Sequence, residues 1–394
     1  MMTVQQYIFA HIAETTRKSD GKDCDLVALP KPYTVPSIKD SFQEMYYWDT
    51  YFTNKGLLLT GNVQQAINNL ENFAFLIEKF GYIPNGTRTP LLNRSQPPFF
   101  GLAIKDLWGY LSETQKQNFI KALKMEYSFW QNRRTNVDGF EHYDAETNDE
   151  EYLAFTYFYE RRVGIETSHT VERGRDIMAE AESGWDFCPR FPNGCTKYAA
   201  VDLCSLLYAD ETLLAEMDIT SADFWRKRAS ERKARMSCMQ DASGVFFDYD
   251  CIEQKPSNVY SCAGFFPYFV GVSNDSEGFQ KLLAQLEYPY GVVSAKTEQK
   301  GYQWATPNGW APLFYVCVAA AISVGDEISA KRIAEKYIRI LDEIFQKTGA
   351  LYEKYDVVTG KIGVGEEYGT PEMLGWTAGI YLSLQRYLES GKLI

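Results

Sequence analysis

The sequence predicts an all-α chain, a toroid of helical hairpins with little β-structure. Two observations point there. Apolar residues recur every three or four positions in about a dozen segments with no run of strands between them, and the connections between those segments are of quite unequal length. Alternate helices then form an inner and an outer ring, and the loops at one end build a pocket.

Asn62 to Phe80 shows the periodicity most plainly. Val63, Ala66, Ile67, Leu70, Phe73, Ala74 and Ile77 draw one stripe down a helix, and Gly81 ends it. Similar patterns predict helices over residues 3–18, 98–110, 113–132, 147–162, 197–216, 221–239, 259–271, 275–286, 309–324, 326–347 and 371–388. Residues 244–249 read as a short hairpin at a rim. No Pro/Gly/Ser-rich linker or low-complexity tract divides the 394 residues, so residues 1–394 are expected to form a single domain.

Composition excludes several classes of function. The net charge of −12 offers no electrostatic footprint for nucleic acid or for an anionic membrane surface. Leu313 to Val324, the longest apolar run, falls short of the roughly 20 residues that cross a bilayer. Met1 to Asp20 lacks the basic start, apolar stretch and cleavage site of a secretory signal, so a cytoplasmic enzyme is expected. The eight cysteines show no C-x-x-C pair and no zinc-type spacing with the three histidines, which reads as reduced structural thiols without a metal. Aromatic residues are more abundant than an aliphatic core needs, with 8 Trp, 27 Tyr and 24 Phe. Flat rings beside carboxylates and amides suit the faces and hydroxyls of a small saccharide.

The chemistry concentrates between the helices, where binding residues tend to lie. Residues 42–51 place Phe42, Trp48 and Asp49 together: Trp48 either covers a sugar face or packs inward, and Asp49 either accepts hydroxyls or caps a helix. Residues 81–98 present Asn85, Arg94 and Gln96 from a backbone stiffened by Gly and Pro, three polar groups between two apolar helices. In residues 182–187, Asp186 follows Gly184 and Trp185. A carboxyl against an indole in a dry pocket has its charged form destabilised, which tunes it toward a general acid, and nearby Arg190 is placed to hold or screen its charge. Trp304 and Trp310 introduce a strongly apolar helix, where they either plug the ring or stack on substrate. In the last glycine-rich segment Glu353, Asp356, Glu366 and Glu367 are all candidate bases. Glycosidic hydrolysis needs two opposed carboxyls, and spacing alone does not select the second.

With these segments assembled, the chain resembles the trehalase family of inverting glycoside hydrolases, family 37, and more distantly the α-glucosidases and mannosylglycerate hydrolases of family 63. The resemblance rests on ordered motifs: Phe-x-Glu-x-Tyr-x-Trp-Asp-x-Tyr at 42–51, Ile-Pro-Asn-Gly at 83–86, Arg-Ser-Gln-Pro-Pro at 94–98, Ser-Gly-Trp-Asp at 183–186, Gln-Trp-x-x-Pro-Asn-Gly-Trp-Ala-Pro at 303–312, Glu-Lys-Tyr-Asp at 353–356 and Gly-Trp-Thr at 375–377. It implies an (α/α)6 barrel, or six-hairpin toroid, with Asp186 as general acid and Glu353 as general base. It also implies sugar-binding roles for Trp48, Asp49, Asn85, Arg94, Gln96, Gly184 and Glu367, and the use of no metal or organic cofactor. An inverting mechanism implies carboxyls about 6.5–9.5 Å apart, with room for water. α,α-Trehalose is the expected substrate; another short α-linked gluco- or mannoside, or a sugar-binding toroid without turnover, is the alternative.

The chain also departs from the family pattern. Ser41 stands where the first motif is preceded by Arg, and Ala305 replaces the Asp of Gln-Trp-Asp. An Arg-Pro-Glu motif has no counterpart between Asp144 and Glu182, with Arg162, Glu172 and Arg173 as candidates. Only Gly365 directly precedes Glu366 and Glu367. The losses fall on groups expected to recognise sugar, while both candidate catalytic carboxyls remain.

Overall fold

The computed structural model describes residues 2–39, 41–136, 138–364 and 370–394. Among them are fourteen α-helices: α1 (Val4–His11), α2 (Tyr47–Leu59), α3 (Val63–Phe80), α4 (Phe100–Leu107), α5 (Glu113–Arg133), α6 (Asp149–Val163), α7 (Val171–Glu182), α8 (Val201–Met217), α9 (Ala222–Arg235), α10 (Phe266–Phe269), α11 (Ser276–Leu286), α12 (Ala311–Ser323), α13 (Glu327–Thr348) and α14 (Gly375–Ser390).

Helix ends follow local chemistry. Thr3 and Ser112 each accept from the backbone of a glutamine three residues on, while that glutamine's side chain accepts from the cap's own N–H, two reciprocal capping boxes. Gly81, at φ +84°, takes the left-handed position that ends α3.

Packing sorts the helices into the toroid. α2, α4, α8, α10, α12 and α14 each lie against the next, and α14 returns against α2. α3, α5, α9, α11, α13 and α1 cover them from outside, leaving α6 and α7 as an added hairpin. The inner ring is apolar nearly all round: α2 buries every residue from Tyr47 to Leu57. Gly56 and Gly379 allow its close crossing with α14, since a Cβ at Gly379 would strike the Phe52 carbonyl of α2. The large core cluster runs through every helix of the ring and through α1, α3, α5, α11 and α13.

Four elements differ from the sequence expectation. The helix expected over 3–18 stops at His11 and is followed by a 3-10 turn, Ile12–Thr15, and a strand, Thr16–Arg17. α2 and α7 were not anticipated, and the helix expected over 259–271 is a 3-10 turn, Cys262–Phe265, followed by the four residues of α10. There, Gly264 lies so close to the Phe246 carbonyl that a Cβ would stand 2.5 Å from it, and tertiary packing overrides the helical pattern. The 244–249 segment forms an isolated bridge, Gln240 to Phe246, and feeds the strand Tyr249–Asp250, which pairs with Tyr198–Ala199 and Lys255–Pro256.

One small sheet positions functional side chains. Lys354–Asp356 is the middle strand between Asn308–Trp310 and Lys361–Ile362, antiparallel to both. Its register sets Lys354 opposite Trp310, and directly opposed residues of an antiparallel pair share a face.

Candidate active site

A cavity of about 410 Å³ opens at one end of the ring, within the roughly 300–1,000 Å³ usual for small-molecule sites. It takes Trp48 and Asp49 from the first turn of α2, Asn85, Arg94 and Gln96 from the α3–α4 connection, and Gly184 and Asp186 from the segment after α7. Gln303, Trp304 and Trp310 come from before α12, Glu353 from the edge of the small sheet, and Trp376 from the first turn of α14. Phe42 and Ser41 stand at its lining as well. Of the residues singled out in the sequence, Glu366 and Glu367 lie outside the described residues; every other candidate catalytic or substrate-binding residue except Asp356, Glu172 and Arg173 lines this cavity.

Asp356 is committed elsewhere. Its Oδ1 accepts from the backbone N–H of Val358 at 2.9 Å and Thr359 at 2.8 Å, and its Oδ2 from the Thr359 hydroxyl at 2.6 Å. These bonds hold the turn between two strands. Asp49 caps no helix: the N-cap of α2 is Tyr46, with no side-chain bond, and the Asp49 carboxyl faces the cavity instead.

The floor is built of indoles. Trp304 stacks on Trp310 with ring centroids 3.7 Å apart and on Trp185 at 5.6 Å, while Trp376 meets Trp48, Trp304 and Trp310 edge-on. Trp48, Trp304, Trp310 and Trp376 border the cavity, whereas Trp185 packs behind them, fully buried. Offset and edge-to-face pairs of this kind form rigid walls with apolar faces. Gly184 sits against the Trp48 ring at φ +76°, which lets backbone reach the cavity where a side chain would not fit.

The polar groups are locked by their neighbours. Gln96 accepts through Oε1 from the Trp48 backbone N–H at 3.0 Å. Asn85 donates through Nδ2 to the carbonyls of Ser95 and Ala181 at 3.2 and 3.1 Å, tying the α3–α4 connection to the end of α7. Arg94 donates to Asn93 Oδ1 at 2.7 Å, while its buried Nε has no hydrogen-bond partner among the described residues. A ligand oxygen would satisfy that donor.

Sequence reasoning missed Glu182, which anchors the whole arrangement. Its carboxylate is fully buried and receives Arg134 bidentately at 2.8 and 2.9 Å, the Ser95 N–H at 2.8 Å and the Asp144 N–H at 2.7 Å. One side chain thereby fixes two cavity loops, and no motif signals it. Arg190 differs from expectation: its guanidinium is sealed between Asp202 and Asp248 and lies 4.4 Å from the centre of the Trp185 ring. It braces the indole behind the site. Of the three candidates for the absent Arg-Pro-Glu motif, Arg162 lines the cavity with Phe155 and Phe158 of the same helix. Glu172 instead pairs with Lys197 at 3.0 Å and Arg173 with Glu180 at 4.0 Å. Ala305 is buried and lines no part of the cavity.

Charge distinguishes the carboxyls that face the cavity. Burial pushes Asp186 up to about 7, with Arg94 holding it down and Glu353 adding to the rise. Burial also pushes Asp49 well above the carboxylate range, reinforced by Glu353 and Asp186. Glu353 differs in having a cation beside it: Lys354 Nζ donates to its Oε2 at 2.6 Å. One carboxyl poised to give a proton and another held against an ammonium is the division of labour that acid–base hydrolysis requires.

Known proteins resemble this chain in sequence and in fold. The trehalase family model matches residues 4–389. A periplasmic trehalase of Pseudomonas aeruginosa is 31% identical over 93% of this chain and 73% of its own length. One of Xanthomonas axonopodis pv. citri is 32% identical over 91% and 68%. In fold the chain is similar to the neutral trehalase of Saccharomyces cerevisiae, with TM-score 0.77 and 24% identity over 99% of this chain and 81% of that one. It is also similar to a family-63 mannosylglycerate hydrolase of Thermus thermophilus, with TM-score 0.62 and 15% identity over 96% and 99%.

These relatives correct one expectation. Both of these curated relatives are named periplasmic trehalases, which overturns the cytoplasmic location drawn from residues 1–20. Those residues hold α1, whose Val4 and Ile8 are buried and whose Tyr7 meets Phe345 of α13. Their composition reflects packing on the toroid. By family model and by sequence, the chain belongs to the trehalase family of glycoside hydrolases.

Proposed function

We propose that this chain hydrolyses α,α-trehalose to glucose with inversion at the attacked carbon. Asp186 protonates the glycosidic oxygen as the C–O bond breaks, and Glu353 takes a proton from the water that attacks the opposite face. The observation carrying the proposal is that Asp186, pushed up to about 7, and Glu353, paired with Lys354, line one cavity. Trp48 and Trp304 supply apolar faces for sugar rings, while Arg94, Gln96, Asn85, Asp49 and the Gly184 backbone border the same space and serve its hydroxyls. Arg162 supplies a cation to a cavity that has Ser41 at the position of the family's arginine. We read residues 1–394 as one catalytic unit that acts on a small saccharide.

Purified protein offered a panel of α-linked disaccharides and glycosyl-glycerates tests this. Trehalose is expected to be cleaved fastest, and Asp186→Asn and Glu353→Gln are each expected to lose about 10²–10⁴ in kcat, the usual contribution of a positioned acid or base. Preference for another α-linked gluco- or mannoside would transfer the proposal to that sugar. Binding without cleavage of any of them would end it.

A further inference from the structure

Lys354 adjoins Glu353 in sequence, yet its side chain is fully buried. Burying a lysine is costly unless its charge is paired and hydrogen-bonded. Here its Nζ donates to Glu353 Oε2 at 2.6 Å and to Gln303 Oε1 at 3.2 Å, and lies 4.8 Å from the centre of the Trp310 ring. The stem is enclosed as well: a Cβ at Gly363 would stand 2.7 Å from Lys354 Cγ. Gln303 is held in turn. Its carbonyl accepts from Trp310 Nε1 at 3.1 Å and Asn308 Nδ2 at 3.0 Å, and its own Nε2 donates to the backbone carbonyl of Asp186. An unbroken chain of hydrogen bonds therefore runs from one candidate catalytic carboxylate to the main chain of the other.

We propose that Lys354 and Gln303 are positioning residues that fix the base against the acid. The ammonium holds Glu353 through its Oε2, which fixes the orientation of the carboxylate, and Gln303 sets the distance from that carboxylate to the Asp186 segment. This deepens the reading of Glu353 as general base and rests on it. Among the described residues, the charged groups facing Glu353 include Lys354 from its own strand, Asp49 from α2 and Asp186 from the segment after α7, with Arg94 facing Asp186. Lys354 is the cation that touches Glu353 in this set, and it also acts on Asp186, so its removal favours the protonated form of Asp186.

The test is the pH profile of kcat/KM for trehalose in Lys354→Met, Lys354→Arg and Gln303→Leu. Lys354→Met is expected to lose roughly 10- to 100-fold in kcat, part of the 10²–10⁴ of a positioned base, and to shift the alkaline limb of the profile, that of Asp186, to higher pH. Lys354→Arg is expected to return that limb toward its original place. Gln303→Leu keeps the ammonium, so it is expected to lower kcat at unchanged KM with the limbs in place. An unmoved alkaline limb in a folded Lys354→Met overturns the proposal. If that variant does not fold, Gln303→Leu decides, and a wild-type kcat there overturns it equally. An active Glu353→Gln would instead remove the base assignment itself, so the two failures are distinguishable.

Discussion

Gly184 and Trp48 meet so closely that a Cβ at position 184 would stand 3.0 Å from two carbons of the indole and 3.4 Å from the Pro97 ring. The glycine lies one residue from Trp185 and two from Asp186, so the contact sets the height of the candidate acid above the tryptophan floor. Its φ of +76° adds a backbone restriction that other residues rarely accept. Gly184→Ala is expected to cost about 1–3 kcal/mol through overpacking and to lower kcat, read by denaturant unfolding and steady-state kinetics. Wild-type kcat with wild-type stability would show that the contact positions nothing.

Arg134 and Glu182 are both buried, and their ion pair is bidentate. Arg134→Met leaves the carboxylate, among the described residues, with the two backbone donors from Ser95 and Asp144. Removing one partner of a buried pair costs about 3–5 kcal/mol. Urea unfolding is expected to report a loss of that size, and a loss under about 1 kcal/mol would contradict the anchoring role.

Glu126 in α5 is fully buried, and burial pushes its carboxyl from 4.5 up to about 8. Between those values the folded chain binds a proton that the unfolded chain releases, so stability falls as pH rises. The contribution is complete below 4.5 and is lost as pH climbs through about 8. Glu126→Gln cannot titrate and is expected to flatten the decline in Tm between about pH 5 and pH 8. Glu180, also pushed up to about 8 by burial, retains part of the slope. A variant whose Tm falls as steeply as wild type would contradict the assignment.

Arg162 reaches the cavity from α6, beside Phe155 and Phe158. Hydrogen bonds to a charged group contribute roughly 1.5–3 kcal/mol, so Arg162→Met is expected to raise KM for trehalose by about 10- to 100-fold. Because the contact serves ground state and transition state alike, kcat is expected to change little. A fall in kcat at constant KM would place Arg162 in the chemistry instead of in sugar recognition.

The motifs made the cavity legible because its residues sit in turns where Trp, Gly and polar groups cluster in sequence. Trp48, Arg94, Gly184, Asp186, Trp304 and Glu353 come from five separate segments and meet around one space. The outer helices were readable from their stripes, α3 and α13 most clearly. α2 was not, because a helix buried on every side presents no polar face and hence no period. α7 was hidden by its charges and by Gly174, which a helical pattern discourages. The structure needs that glycine because a Cβ would run into the Tyr152 carbonyl of α6. Glu182 and Lys354, and the choice of Arg162 among its three candidates, depend on which elements face one another, a fact that spacing along the chain does not encode.

The most direct measurement is proton NMR of the first glucose anomers formed from α,α-trehalose, recorded faster than mutarotation. With water delivered to the face opposite the leaving group, one glucose emerges as the β anomer and the other keeps its α configuration, so equal amounts are expected at the earliest times. Asp186→Asn and Glu353→Gln should give neither signal. Initial release of α-glucose alone would mean a double displacement, contradicting a base at Glu353 that activates water.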